Sequence, residues 1–196
     1  MDSQRSTSQL GRRLVLGLAL IAAFNVGFLV RPHYDARIER DVFALLARGT
    51  ASISPSGVAD SPKVFISFDP YCRHCHNLYA ALAKRVEAGE LQVEWVPVAI
   101  EQEDSLAVGA EMLTATDPSS ALSRWFGTEL GTSPVIPKGA DPAKAAARVS
   151  ANTKLIRDLV GRDAAPVLFY RNQDGETEFA IGMPSDIDAW VKGLST

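Results

Sequence analysis

The 196-residue chain has few of the side chains from which proteins build metal sites and nucleic-acid interfaces. It has two cysteines and three histidines (His33, His74 and His76), so a four-ligand structural zinc site is poorly supplied. It has no block of basic residues and no basic stripe with interleaved aromatics, and its formal net charge is −3. We therefore predict no metal site and no nucleic-acid partner.

Long hydrophobic runs are also absent, with one exception between residues 14 and 30. This segment is uncharged and has arginines on both sides. At ~1.5 Å per residue, a helix of this length spans roughly 25 Å, at the short end for crossing a bilayer. We predict a transmembrane signal anchor at 14–30 behind a tail at 1–13, with a cleaved signal peptide as the alternative. Because such a segment normally exports the domain behind it, we expect that domain outside the cytoplasm.

The two cysteines, Cys72 and Cys75, are separated by two residues. They come after a β-branched and aromatic run at Val64–Phe68 and precede a helical pattern. Thiols at this spacing can exchange electrons with each other and with a substrate, and the start of a helix favours a thiolate over a thiol. The pattern therefore predicts a redox-active pair, which needs no bound cofactor.

Helical spacing assigns the two thiols different roles. Cys75 begins an apolar stripe that continues through Leu78, Leu82 and Val86, so it is predicted to face the core and to act as the resolving thiol. Cys72 lies one turn earlier, where we expect it to meet solvent and to act as the nucleophile.

Arg73 and His74 lie between the two cysteines and bring positive charge close to the Cys72 sulfur. Positive charge lowers the pKa of a neighbouring thiol. We therefore predict that both residues stabilise the thiolate and that Cys72 is largely ionised at neutral pH.

Other interpretations of the cysteine pair remain open. A structural disulfide is one, although a bridge across so small a loop contributes little chain-entropy stabilisation. Covalent haem is another, because Cys72–His76 reads C-x-x-C-H, the attachment motif for c-type haem. Met112 or Met183 would then supply the second axial ligand, although both have the pattern of core methionines. The strand patterns around the motif favour thiol chemistry in a sheet protein.

The remaining pattern predicts an α/β domain, a βαβ unit plus a ββα unit around one sheet, with a helical insertion. Two parts are predicted after the anchor: a linker at 31–62, with a short amphipathic helix near 35–48, and a catalytic domain at 63–196. Within the catalytic domain, the predicted elements are, in chain order, a strand at 64–68, the cysteine helix to 88, a strand at 91–100, the helical insertion at about 101–161, a hairpin at 167–171 and 176–181, and a final helix.

This order, with C-x-x-C at the first strand–helix junction, resembles the thioredoxin superfamily. Five segments are similar to the catalytic domain of the DsbC/DsbG family, and to DsbG more than to DsbC. They are Phe65–Pro70, Asp104–Pro118, Asn152–Leu155, Ala165–Tyr170 and Ala180–Pro184.

The resemblance implies a thioredoxin-like fold and a periplasmic thiol:disulfide oxidoreductase. Such a protein would reduce or isomerise disulfides, or reduce cysteine sulfenic acids, in exported proteins. A DsbD-like membrane reductant would regenerate it. The resemblance also implies that Pro166 forms a cis peptide bond opposite the cysteines and that Ala165 and Pro166 hold the substrate backbone. With the anchor at 14–30, the predicted location is the bacterial inner membrane, with the catalytic domain in the periplasm.

The chain departs from that family at three places. Ala165 replaces the threonine that precedes the cis-proline, and Arg73-His74 replaces Pro-Tyr or Gly-Tyr. A histidine before the second cysteine is shared with the oxidase DsbA, so a disulfide-donating oxidase with a DsbB-like partner is the alternative. Residues 31–62 are too few for the family's N-terminal dimerisation domain, so we predict a monomer.

Overall fold

The computed structural model describes residues 36–54, 60–129 and 141–196. The helices are α1 (Ala36–Gly49), α2 (Arg73–Glu87), α3 (Ser105–Thr114), α4 (Pro118–Phe126), α5 (Pro142–Val160) and α6 (Ile187–Lys192), and the strands are β1 (Lys63–Phe68), β2 (Gln92–Pro97), β3 (Val167–Arg171) and β4 (Thr177–Ile181).

The strands form one mixed sheet in the order β2-β1-β3-β4. β1 runs parallel to β2 through the crossover helix α2, and it pairs antiparallel with β3, which forms a hairpin with β4. The predicted combination of a βαβ unit and a ββα unit is therefore confirmed. This topology brings the carboxyl end of β1, which leads into the cysteines, beside the start of β3.

The central strand β1 is buried on both faces. Ile66 and Phe68 point into a core that includes Leu78 and Leu82 of α2, as the helical spacing predicted. Phe65 points to the opposite face, which is covered by α1 and α5. Each such apolar side chain contributes about 1.5–3 kcal/mol when it is removed from water, so this two-sided burial holds the strand before the cysteines rigidly.

Within the segment predicted as a linker, 31–62, the described residues 36–54 contribute to the core instead. Phe43 of α1 is buried and packs edge-on against Phe65, with 5.2 Å between the ring centroids. Ile53 is also buried and exchanges two backbone hydrogen bonds with Trp95 of β2, at 2.8 and 2.9 Å. The amphipathic helix is therefore part of the domain, because its apolar stripe covers a sheet face that would otherwise be exposed.

The helical insertion contains α3, α4 and α5, as predicted. α3 packs against α5 through small residues, and Gly109 leaves only 3.3 Å between the position of a Cβ atom and Pro97. Ala110 and Val149 form the buried contact. A Cβ atom at position 109 would sit tightly against Pro97 and in contact with Val149, so α3 lies close to both the carboxyl end of β2 and α5.

The predicted anchor at 14–30 lies outside the described residues. Within the part of the chain that the structure describes, no helix combines the length and the apolar character that crossing a bilayer requires.

Candidate active site

Cys72 lies at the N-cap of α2, directly before the helix begins. The N–H groups of Cys75 and His76 both donate to its carbonyl, at 3.0 and 3.2 Å, so helical hydrogen bonding starts from this residue. Its backbone is extended, as is usual for the residue directly before a helix. The sulfur therefore stands next to the positive end of the helix dipole, and no acidic residue lies in the first turn to oppose it.

The loop that carries Cys72 is held by Asp69, which is fully buried. Its carboxyl group accepts four hydrogen bonds, from the N–H groups of Tyr71 (2.9 Å), Ile100 (2.8 Å) and Glu101 (3.0 Å) and from the hydroxyl of Ser105 (2.9 Å). Its carbonyl accepts the N–H of Cys72 at 3.1 Å. Asp69 thus ties the cysteine loop to the chain segment after β2. β2 ends at Pro97 and not at the predicted Ile100, and the N–H groups of Ala99 and Ile100 donate to side chains instead of a strand.

The two sulfurs are both buried. Cys75 is fully buried, as predicted, but Cys72 is only 4% exposed, so the expectation that it meets solvent is wrong. Its thiol donates to the carbonyl of Ala165 at 3.4 Å. The loop before β3 therefore lies over the Cys72 sulfur. The pairing of β3 with β1 brings the loop to this position, and the helix that begins after Cys72 does not.

The pKa of Cys72 is lowered to about 7. The largest cause is a hydrogen bond from the Cys75 side chain, and the backbone N–H groups of Cys75 and His74 lower the pKa further. Burial and the negative charge of Glu101 act in the opposite direction. Thiol and thiolate are therefore about equally populated near pH 7, which is less ionised than the sequence predicted.

The pKa of Cys75 is raised far above its ordinary range. Burial is the main cause, and the hydrogen bond to Cys72 and the negative charge of Cys72 add to it. Once the Cys72 sulfur is bonded to another sulfur, it no longer carries that charge. Cys75 then becomes easier to deprotonate, at the step where a resolving thiol is needed.

Arg73 and His74 have exposed side chains. Neither of their charges is among the main influences on the pKa of Cys72, and His74 acts on it through its backbone N–H. The prediction that the positive charges of Arg73 and His74 stabilise the Cys72 thiolate is therefore not supported. Their side chains remain available to a bound partner.

The Ala165–Pro166 peptide bond is cis, as the family resemblance implied. The loop is fixed on both sides, since the N–H of Val167 donates to the hydroxyl of Ser67 and the N–H of Gly182 donates to the carbonyl of Pro166. Gly182 has a φ of +88°, which favours glycine there. The structure thus brings the predicted residues Cys72, Ala165 and Pro166 together, while their role in holding substrate stays a prediction.

Sequence reasoning missed the residues that hold the loop in place. The sequence analysis included Asp69 only as part of the segment that resembles the family, and it did not consider Trp125. Trp125 donates from its indole Nε1 to the carbonyl of Pro70 at 2.7 Å. A buried aspartate directly after a strand is a recognisable sign of such a role, but an aromatic residue 55 positions away is not.

The residues of the C-x-x-C-H motif do not fit covalent haem. Cys75 is buried in the sheet core, and the ring of His76 packs edge-on against Phe126 at 4.6 Å between centroids. The His76 Nε2, the atom that ligates haem iron in such motifs, lies 3.0 Å from the Pro70 carbonyl. Met112 is buried, as expected, whereas Met183 is 47% exposed and is not a core residue.

The lowered pKa of Cys72 predicts how the reduced protein reacts with iodoacetamide. We expect the alkylation rate of Cys72 to be half-maximal near pH 7. Replacing Cys75 with alanine should raise that midpoint, because it removes the largest stabilising hydrogen bond, whereas Glu101→Gln should lower it. A midpoint at the ordinary value of about 8.5 in all three proteins would contradict the assignment.

The same shift has a consequence for stability. Folding lowers the pKa of Cys72, so its contribution to the stability of the reduced protein is fully present above the pKa of the unfolded chain and is lost as the pH falls through about 7. Urea unfolding of the reduced protein between pH 6 and 8 measures this trend, since above that range the raised pKa of Cys75 makes stability fall with pH. The oxidised protein, which has no thiolate, is the control.

Comparison with known proteins gives relatives of one kind. No protein-family model matches the chain. The thiol:disulfide interchange protein DsbG of Pseudomonas aeruginosa is 30% identical over 155 residues, which cover 75% of this chain and 59% of that protein. The protein of the same name from Escherichia coli is 24% identical over 129 residues, 65% of this chain and 51% of that protein. The chain thus spans between half and three-fifths of the length of these two relatives.

A solved structure, that of a periplasmic thioredoxin-like protein from Salmonella enterica serovar Typhimurium, superposes with a TM-score of 0.60. The alignment covers 78% of this chain and 94% of that one at 20% identity. At this identity the likeness establishes the fold, which is thioredoxin-like, as the strand order and crossover helix already indicated.

Proposed function

We propose that this chain, a DsbG-like member of the thioredoxin superfamily, is a thiol:disulfide oxidoreductase that reduces or isomerises disulfides in exported proteins. The observation that carries the proposal is the state of Cys72. Its sulfur stands at a helix N-terminus with a pKa near 7, hydrogen-bonded to its partner thiol and facing the loop before the cis-proline. A nucleophilic thiol with an internal resolving thiol is what disulfide exchange requires.

The chemistry proceeds in two exchange steps. The Cys72 thiolate attacks one sulfur of a substrate disulfide, forming a mixed disulfide and releasing one substrate thiolate. Cys75 then loses its proton and attacks the Cys72 sulfur, which releases the second substrate thiolate. The substrate gains two electrons, and the protein is left with a Cys72–Cys75 disulfide. In isomerisation the released substrate thiolate attacks another substrate disulfide, and the thiolate freed there attacks the mixed disulfide. The Cys72 thiolate then leaves, so the substrate has exchanged its disulfides with no net gain or loss of electrons.

The value of the Cys72 pKa supports the reducing direction. A lower thiolate pKa stabilises the reduced form and makes the disulfide a stronger oxidant. The pKa of about 7 is close to that of thioredoxin, a reductant, and well above the ~3.5 of the strong oxidant DsbA. The negative charge of Glu101 raises the pKa of Cys72 and so also favours the reducing direction.

A disulfide-donating oxidase is the second candidate. It is favoured by His74, which precedes the second cysteine as in DsbA. For an oxidase, a DsbB-like membrane protein would reoxidise the cysteine pair. For a reductase or isomerase, a DsbD-like membrane protein would reduce it.

Substrate proteins would bind beside the cis-proline loop. Three large apolar side chains, Phe179, Ile181 and Met183, alternate along β4 and beyond it, and they are 40–51% exposed. Ile181 pairs with Val167, directly after Pro166. We propose that this row contacts apolar side chains of an extended, incompletely folded substrate segment while its cysteine meets Cys72.

We place the protein in the periplasm, because its function needs exported substrates. The apolar segment 14–30 is proposed as its signal anchor in the inner membrane, with signal cleavage as the alternative. We also propose that the chain acts as a monomer.

A redox titration of the purified full chain in glutathione buffers tests the proposal. Free thiols are counted by alkylation after equilibration at each potential. We expect a two-electron transition at about −200 mV or lower, as for a reductase or isomerase. A midpoint near about −120 mV would identify the oxidase instead, and a pair that does not titrate would refute thiol chemistry altogether.

A further inference from the structure

The carbonyl group of Pro70, two residues before the nucleophile, accepts two side-chain hydrogen bonds. One comes from Nε1 of Trp125 at 2.7 Å and the other from Nε2 of His76 at 3.0 Å. Because a carbonyl oxygen only accepts, Nε2 of His76 must carry a proton. The two donors belong to different helices, since His76 lies on α2 and Trp125 on α4.

The position of His76 is itself fixed by packing. Its ring contacts Phe126 edge-on at 4.6 Å between centroids, and Phe126 stacks on Tyr79 at 4.8 Å. On the other side of the carbonyl, the ring of Tyr71 meets Trp125 edge-on at 5.5 Å. The histidine therefore has one orientation, with Nε2 directed at the loop.

The Pro70 carbonyl controls the loop because the other polar groups there already have partners. The N–H groups of Tyr71 and Cys72 donate to Asp69. The carbonyl of Pro70 belongs to the peptide plane that leads into Tyr71, so its direction sets where the next residue, Cys72, is placed. A buried carbonyl without donors is costly, and the plane would rotate to find new ones.

We propose that His76 is a positioning residue for the redox reaction, which holds the Pro70 carbonyl together with Trp125 and so directs Cys72 toward Cys75 and the Ala165 carbonyl. The inference rests on the proposed function but concerns a residue that the exchange steps do not use. Its physical basis is that a nucleophile displaced by a fraction of an ångström loses both its stabilising hydrogen bonds and its line of attack.

The test compares His76→Leu with His76→Gln in the full chain. Leucine fills the space but donates no hydrogen bond, whereas the glutamine amide presents an N–H near the position of Nε2. We expect His76→Leu to raise the alkylation midpoint of Cys72 by about one pH unit and to slow exchange with oxidised glutathione roughly tenfold. His76→Gln should restore most of both. Asn77→Leu, on the neighbouring exposed position of the same helix, is the matched control and should change neither.

The outcomes separate this inference from the proposed function. If wild type exchanges disulfides and His76→Leu keeps its midpoint near 7 and its rate, the inference is wrong and the function stands. If wild type is inactive, the function fails, while the alkylation midpoints still decide the inference because they need no substrate. Should His76→Leu not fold, His76→Phe removes the Nε2 donor and keeps a planar ring beside Phe126. A raised midpoint there supports the inference, and an unchanged one contradicts it.

Discussion

Replacing Cys72 with serine is expected to reduce disulfide exchange by at least ~10³-fold, to the background of the assay. A serine hydroxyl is not ionised at neutral pH and forms no disulfide, so neither exchange step can begin. The fold should persist, because the serine is smaller and the loop hydrogen bonds to Asp69 involve only the backbone of residue 72. The measurement is the reduction of a protein disulfide with a thiol donor present, together with a circular dichroism spectrum.

The partner variant, Cys75→Ser, distinguishes the two roles. Its Cys72 can still attack a substrate, but no internal thiol releases the product, so mixed disulfides should accumulate and appear on non-reducing gels. The double variant should form none. If Cys75→Ser trapped nothing while Cys72→Ser did, the assignment of nucleophile and resolving thiol would be reversed.

The second large effect is expected from Asp69→Ala, which should lower the free energy of unfolding by about 3–5 kcal/mol. Four donors lose a shared acceptor, among them the fully buried hydroxyl of Ser105. Hydrogen bonds to a charged group contribute about 1.5–3 kcal/mol each, and unpaired buried donors add a desolvation cost. Urea unfolding of the oxidised protein measures the loss without interference from the thiols.

Two further aspartate variants sharpen this test. Asp186→Ala removes an exposed N-cap whose carboxyl accepts the N–H of Ala189, and it should cost only about 1 kcal/mol. Asp69→Asn retains one acceptor oxygen but places an amide against donors, so its effect should lie close to that of alanine. A loss for Asp69→Ala no larger than that for Asp186→Ala would show that the loop is held by other contacts.

Much of the fold was predictable because its elements have strong local patterns. The stripe from Cys75 to Val86 has the period of a helix with one buried face, and all its members are buried. The run before the cysteines is apolar at nearly every position, as expected for a central strand with two covered faces. The first helix was predicted close to its observed bounds but was placed in a linker, because an amphipathic pattern shows that a face will be buried and not against which element.

The site was predictable only in part. The spacing of Cys72 and Cys75 predicted thiol chemistry, and the family resemblance located the cis-proline, which no local pattern reveals. The source of the lowered pKa differs from the predicted one. The charged neighbours Arg73 and His74 have exposed side chains, whereas the Cys75 thiol and the backbone N–H groups of Cys75 and His74 lower the pKa of Cys72.

By itself, the sequence determined the order of strands and helices and the burial of Cys75, and it predicted thiol chemistry at the cysteine pair, since these depend on residues a few positions apart. The tertiary structure decided how reactive Cys72 is and how its loop is held. The loop is held by contacts between residues that are far apart in the chain: Asp69 with Ile100, Pro70 with Trp125, and Cys72 with Ala165. Only the assembled sheet and helical insertion bring these residues together. Hydrogen bonds act over about 3 Å, so their influence is decided by where the folded chain places each donor and not by distance along the sequence.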